Sequence, residues 1–304
     1  MRTHFRWRVC ALVLLVVALP SAGASGQSNA FGQIRRDLGQ NVVPVFEGWE
    51  KNPDGSFNLV FGYMNRNYQE RPEIPVGPEN NFSPGPPDRG QPAYFYPRRQ
   101  QFMFKVRVPA DFGKQELVWT LTRNGQTEKA YGHLILEEEL SDVVLSENRG
   151  GLANDSVSAK PNEPPTISID GPPQRTASVG VKLTLTASAA DDGVPKPPAP
   201  GGDRPTSTSD GVPLLTPRDR PTSQAIVKPS RQGLAATWIQ WRGPGHSTFD
   251  PMTAVVKDGK VTTSVSFSKP GTYVIRAYAD DGVLMTPADV TVIVNDSSRG
   301  QANR

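Results

Sequence analysis

The sequence predicts an all-β protein of two β-sandwich domains joined by an acidic linker. Two observations carry this. Apolar residues recur at a period of two: Phe102, Phe104, Val106 and Val108 alternate with Met103, Lys105 and Arg107, and Val181, Leu183, Leu185 and Ala187 alternate with Lys182, Thr184, Thr186 and Ser188. That is the pattern of a strand with one buried face. Turn-forming groups punctuate these runs, among them Asn52-Pro53-Asp54-Gly55 and Asn124-Gly125, the residues that tolerate tight turns.

The start of the 304-residue chain is different. Arg2, Arg6 and Arg8 precede an apolar run over 9–19 and then Ala22-Gly23-Ala24. This is the pattern of a secretory signal peptide over 1–24, too short and wrongly flanked for a membrane span. The chain is therefore expected to be secreted or periplasmic. Its only cysteine, Cys10, lies in that run, so the exported chain would have neither disulfides nor thiolate metal sites. Removing the three arginines leaves Lys+Arg and Asp+Glu equal at 30 each. A neutral chain lacks the basic footprint of nucleic-acid binding. No later stretch has 18 consecutive apolar residues, so no transmembrane segment is expected.

After a polar leader over 25–40, the first domain is expected over 41–136. Strands are predicted at 42–49, 57–63 and from Phe102 to Val108. Leu117, Trp119 and Leu121 open a hairpin over 116–136, turned by Asn124-Gly125 as a type I′ turn. Between them, 64–100 is dense in Pro, Gly and Asn, which bars an interior strand. Yet it holds Tyr68, Phe82, Tyr94, Phe95 and Tyr96, and disordered segments are poor in aromatics. It is predicted to be an ordered loop packed over the sandwich.

Residues 137–163 are acidic, led by Glu137, Glu138 and Glu139, with a short helix expected near 137–147. The second domain is expected over 164–295, with strands at 164–169, 181–188, 236–241, 261–267, 272–279 and 290–294. Nine prolines and no aromatic residue over 194–230 predict a disordered insertion. Residues 296–304 read as a polar tail.

Pro270-Gly271-Thr272-Tyr273 followed by Ala279-Asp280-Asp281-Gly282 resembles the PKD-type or cadherin-like immunoglobulin-fold modules. The resemblance implies an immunoglobulin-like second domain. It also implies that Tyr273 is a tyrosine corner whose hydroxyl bonds back to the backbone. Those modules carry Trp-Asp-Phe-Gly-Asp-Gly after the third strand, where this chain has Trp241-Arg242-Gly243-Pro244-Gly245. In the first domain, Phe61-Gly62-Tyr63-Met64-Asn65-Arg66-Asn67, Ile74-Pro75-Val76-Gly77-Pro78 and Asp88-Arg89-Gly90-Gln91-Pro92 resemble an uncharacterised β domain of secreted bacterial proteins. That likeness implies no activity.

Little in the chain points to catalysis, and no enzyme is expected. Beyond the leader there are two histidines, His133 and His246. His133 reads as a half-exposed strand residue. His246, Ser247 and Asp250 are too close in sequence to presume a triad. No Walker loop, His-x-x-x-His or Gly-x-Ser-x-Gly occurs. A carboxylate pair has no local signature, which leaves an unrecognised hydrolase as the third-ranked function.

Two constellations are candidates for binding. Tyr68, Tyr94, Tyr96 and Arg89 combine ring faces with a guanidinium, as sugar recognition needs; the structural alternative is that Asn and Gly satisfy turns while the rings fill the core. Asp191-Asp192-Gly193 and Asp280-Asp281-Gly282 end two strands that finish at one pole of an immunoglobulin-type sandwich. Asp191, Asp192, Asp280 and Asp281 could then hold a weak calcium ion, or simply turn the chain. No other cofactor is expected. Trp238 and Trp241 are predicted on opposite faces of one strand, the outer one exposed. The first expectation for function is a non-catalytic interaction or structural module of the bacterial cell envelope, with a protein or glycan partner at the cell surface. The alternative is a carbohydrate-binding protein using 64–100.

Overall fold

The computed structural model describes residues 35–141, 144–145, 148, 162–196, 225–228, 230 and 232–296. The signal peptide, most of the polar leader, most of the acidic linker and insertion, and all but Asp296 of the tail lie outside the described residues. Within them the protein is all-β, with strands arranged as two sandwiches.

The first sandwich contains β1 (Val42–Lys51), β2 (Phe57–Asn65), β3 (Asn80–Ser83), β4 (Arg98–Val108), β5 (Leu117–Arg123) and β6 (Gln126–Gly132). One sheet has the order β1-β2-β4 and the other β3-β5-β6. Asn124 and Gly125 take φ of 53° and 74°, the paired positive angles of a type I′ turn. They join β5 to β6 in the expected register, Arg123 opposite Gln126. The inward residues are largely aromatic. Phe82 stacks on Trp119 at 5.8 Å, and Phe61 stacks on Phe104 at 5.7 Å.

β3 lies inside 64–100, where no strand was predicted. It is four residues long and pairs with β5. Buried Asn80 fixes it: its side-chain amide donates to the carbonyls of Ile74 and Pro92, and its Oδ1 accepts the Trp119 indole N–H. The surrounding prolines contribute no donors, so this one amide organises the irregular backbone. The segment is ordered, as expected of an aromatic-rich loop.

After β6 the chain makes a 3-10 turn at Leu136–Glu138. Leu140 and Leu145 then pack with Val60 and Phe102 on the outer face of the first sheet.

The second sandwich contains β7 (Thr166–Ile169), β8 (Gln174–Ser178), β9 (Leu183–Ala190), β10 (Ala235–Arg242), β11 (Ser247–Asp250), β12 (Thr253–Val255), β13 (Lys260–Phe267), β14 (Gly271–Asp280) and β15 (Met285–Asn295). Its sheets have the orders β7-β9-β13-β11 and β12-β10-β14-β15-β8. That is the immunoglobulin arrangement. Strands β7, β9, β13 and β11 form one sheet, and β10, β14 and β15 form the centre of the other. Sequence reading missed β8, β11 and β12, which are short edge strands without clear alternation. Tyr273 is buried, and its hydroxyl donates to the Lys269 carbonyl at 2.8 Å. Its ring lies on Gly243, where a Cβ would come within 2.5 Å of the ring and where φ is +124°. Only glycine meets both conditions.

Part of the stretch expected to be disordered is packed. Val227 is buried and Ile226 lies against the first-sandwich core. The Ile226 N–H also donates to Gln100 Oε1 at 2.8 Å.

Candidate functional site

The polar and aromatic residues gather where the two sandwiches meet. The end of the 64–100 segment and β4 form one side of this seam, and β10 and β14 form the other. Tyr96 is the central strut. Its backbone N–H donates to the Tyr63 hydroxyl at 2.9 Å, and its own hydroxyl accepts the Gln240 N–H at 2.9 Å. Burial raises the Tyr96 and Tyr94 hydroxyls above the usual tyrosine range, so both stay neutral. The Tyr94 hydroxyl is hydrogen-bonded to His246 Nδ1 at 2.7 Å, and the N–H groups of Ala93 and Tyr94 both donate to the Trp241 carbonyl.

Around this strut the seam closes with charge-assisted contacts. Arg242 grips Asp88 with both terminal nitrogens, at 2.9 and 2.7 Å, while its Nε donates to the Gln91 carbonyl. Hydrogen bonds from Arg242 hold the Asp88 carboxyl below the usual range. Arg276 stacks 3.7 Å over the Trp241 ring and is fixed by a two-pronged pair with Asp289. The Trp241 indole N–H donates to the Gly90 carbonyl, and the Tyr278 hydroxyl to that of Met103. Phe104, Trp241, Ile239 and Tyr278 share one buried cluster.

The structure therefore places the predicted sugar-binding residues elsewhere than on an open surface. Tyr94 and Tyr96 meet edge to face at 5.3 Å, but both are buried, with 2% and 1% exposure. Their ring faces fill the seam and are not offered to a sugar. Arg89 turns onto its own loop, its backbone N–H donating to Gln91 Oε1 and its Nη2 to the Pro84 carbonyl. Tyr68 is the exception: it is half-buried under the Arg98 guanidinium, 4.0 Å from its ring centre.

The four aspartates are used by the backbone. Asp191 and Asp192 accept the N–H groups of Gly193 and Val194. Asp280 accepts from Gly282 and Ser230, and Asp281 from Val283 and Leu284, with Asn162 on its second oxygen. Asp280 and Asp281 are both buried. Among the described residues no three His, Cys, Asp or Glu side chains are grouped to hold a metal ion.

Nor, among the described residues, do His133 and His246 face a nucleophile. His246 engages Tyr94, while the Ser247 hydroxyl is buried without a hydrogen-bond partner. His133 lies just past β6, with Nδ1 at 3.2 Å from Glu138.

Trp238 and Trp241 do point to opposite faces, yet both are buried. Trp238 fills the second core and Trp241 the seam. The expected exposed indole is covered by the first sandwich. A signal for this was present: five of the seven residues from Ala235 to Trp241 are apolar and they fall on both faces, as in strands covered on both faces, and all seven are buried.

No protein-family model matches the chain. Several solved structures overlap it loosely. The fibronectin(III)-like modules of CbhA from Clostridium thermocellum are 11% identical, over 85% of this chain and 96% of that one, with a TM-score of 0.24. The adhesin InvE of Yersinia pseudotuberculosis is 14% identical, over 83% and 58%, with a TM-score of 0.23. The D00-D0 domain of intimin is 11% identical, over 83% and 100%, with a TM-score of 0.24. Overlaps this loose carry no inference about ligand or partner. Among the described residues no helix is long and apolar enough to cross a membrane.

Proposed function

We propose that this chain is a non-catalytic interaction or structural module of the bacterial cell envelope, exported by its N-terminal segment, with a second sandwich of the PKD type. The seam is the observation that carries the reading. The residues best suited to chemistry or ligand contact, Tyr94, Tyr96, Trp241, Arg242 and His246, are spent on holding two sandwiches together. A joint of buried hydroxyls, a stacked guanidinium and a two-pronged ion pair suits a stiff spacer or display unit. The buried Tyr273 corner and its contact with Gly243 support the PKD-type assignment.

Two measurements test this together. Calorimetry of the exported chain should give one unfolding transition, because neither sandwich can open without baring the seam. Fractionation of the producing bacterium should recover the chain, starting at Ser25, outside the cytoplasm. Two separated transitions would refute the stiff unit, and a cytoplasmic chain that keeps residues 1–24 would refute the envelope assignment.

A further inference from the structure

Several basic side chains of the first sandwich are matched to acids. Arg99 pairs with Glu47, Lys105 with Glu50, Arg107 with Asp54 and Arg123 with Glu70. Arg98 differs. No carboxylate pairs with it among the described residues. Instead its Nη1 donates to the Arg66 carbonyl at 2.9 Å and its guanidinium lies 4.0 Å over Tyr68.

Its backbone is equally unusual. Arg98 has a φ of +64°, a left-handed conformation that L residues other than Gly, Asn and Asp seldom adopt. Strain of this kind persists where the surroundings enforce it and is concentrated at functional sites. Here it accompanies a fixed, half-buried cation. With Nη1 occupied, the Nε–Nη2 edge has no hydrogen bond to the described residues, and that edge is the fork that fits a carboxylate.

The neighbours add to this. Arg66 is half-exposed at its side chain, and among the described residues its acid is Glu128 at 3.8 Å. The carboxylates close by are already engaged: Glu70 by Arg123 and the Gly39 N–H, and Asp37 by the Gln69 amide. The backbone is rigid too, since the N–H groups of Tyr68 and Arg66 donate to the carbonyls of Arg36 and Asn41.

We propose that Arg98, Tyr68 and Arg66 form a binding site for an acidic sugar of a carboxylate-bearing glycan. The Nε–Nη2 fork of Arg98 takes the carboxylate, the edge of Tyr68 meets the sugar ring, and Arg66 adds a second positive charge. A sugar acid carries its carboxylate directly on a ring, so it can meet the Arg98 guanidinium and the Tyr68 ring together. An acidic peptide carries its carboxylate on a flexible stalk and offers no ring. The site does not depend on the seam, so its failure and the failure of the envelope reading are separately visible.

Equilibrium binding of the full exported chain to oligogalacturonate tests it, with neutral dextran oligomers, oligoglutamate and inorganic polyphosphate as comparison ligands. Oligogalacturonate should bind, with dextran at least tenfold weaker. Arg98→Gly should lower that affinity at least tenfold while keeping or raising the melting temperature, because glycine takes a φ of +64° freely. Arg98→Lys keeps the charge and loses the fork, so it should weaken binding nearly as much. Arg107→Gln, on a paired cation of the same strand, should leave binding unchanged. Absence of oligogalacturonate binding overturns the proposal. So does equal binding of oligoglutamate or polyphosphate, or wild-type affinity in Arg98→Lys.

Discussion

The Tyr96 hydroxyl accepts the Gln240 N–H at 2.9 Å, across 144 positions of sequence and between two sandwiches. Tyr96 belongs to an irregular segment and Gln240 to β10, at the register shift between Gln240 and Arg242. The contact therefore ties the irregular part of the first sandwich to a bulged position in the second. Tyr96→Phe keeps the ring and leaves the Gln240 N–H buried without an acceptor. A buried donor left unpaired costs about 1–3 kcal/mol. In urea unfolding the midpoint should fall while the slope stays constant. Tryptophan fluorescence and far-UV circular dichroism should shift together. A shift seen by only one of these probes would mean that the sandwiches unfold separately.

Asp88 and Arg242 give a contrasting prediction. The pair is two-pronged but half-exposed at Asp88, so solvent screens it, and such pairs contribute about 0–1 kcal/mol. Asp88→Asn should therefore cost less than Tyr96→Phe. Its pH dependence has a definite sign. Arg242 lowers the folded-state pKa of Asp88, so the stabilisation is present above the usual carboxylate pKa and is lost as pH falls through the lowered folded value. The difference between wild type and Asp88→Asn should shrink in acid. A difference that grows in acid would refute the pairing.

At the tyrosine corner, two substitutions separate a hydroxyl from a shape. Tyr273→Phe removes the bond to the Lys269 carbonyl and should cost about 1 kcal/mol. Gly243→Ala drives a methyl group into the Tyr273 ring and forces a positive φ on alanine, so it should cost more, about 2–3 kcal/mol. Thermal melts of the two variants should rank in that order. The reverse order would show that the ring is not seated on Gly243.

The buried, backbone-bonded aspartates predict that calcium leaves the protein unchanged. Melting midpoints in 10 mM calcium and in excess chelator should coincide. For a ligand with a dissociation constant of about 0.3 mM, that concentration would add about 2 kcal/mol. A rise of several degrees that disappears in Asp192→Asn would restore the ion site.

The β framework was legible where side chains alternate or where a turn has its own chemistry. Asn124-Gly125 announced its hairpin, and Tyr273 its corner, because the deciding interactions are local. The seam was not legible. Tyr94 and Tyr96 carry no mark that separates a ring meeting sugar from one meeting β10, since that depends on a surface over a hundred residues away. The sequence held one usable hint, the apolar residues on both faces of the run from Ala235 to Trp241. It argues that both faces of β10 are covered, and so against an exposed Trp241. The Arg98 site was half legible. Tyr68 stood out as an aromatic in a polar segment, but the positive φ of Arg98 and its missing acid belong to the fold.

Asp281 supplies the strongest pH signature. Burial pushes its carboxyl up to about 6 from 3.8, against the hydrogen bonds of Val283, Leu284 and Asn162 that favour the charged form. A carboxyl whose folded pKa is raised contributes stability that is complete below about pH 4 and is lost as pH rises through about 6. Asp281→Asn should thus match wild type near pH 4 and exceed it near pH 7.5, by roughly 1–3 kcal/mol. The site can accept the amide. Asn keeps an oxygen for the Val283 and Leu284 N–H groups. The Asn162 Oδ1 is buried without a hydrogen-bond partner, so a flipped Asn162 can accept from the new amide. Melting curves of both proteins across pH 4–8 measure the difference directly. If Asp281→Asn is instead the weaker protein at pH 7.5, the Asp281 carboxylate stabilises this turn in its charged form and the raised pKa is refuted.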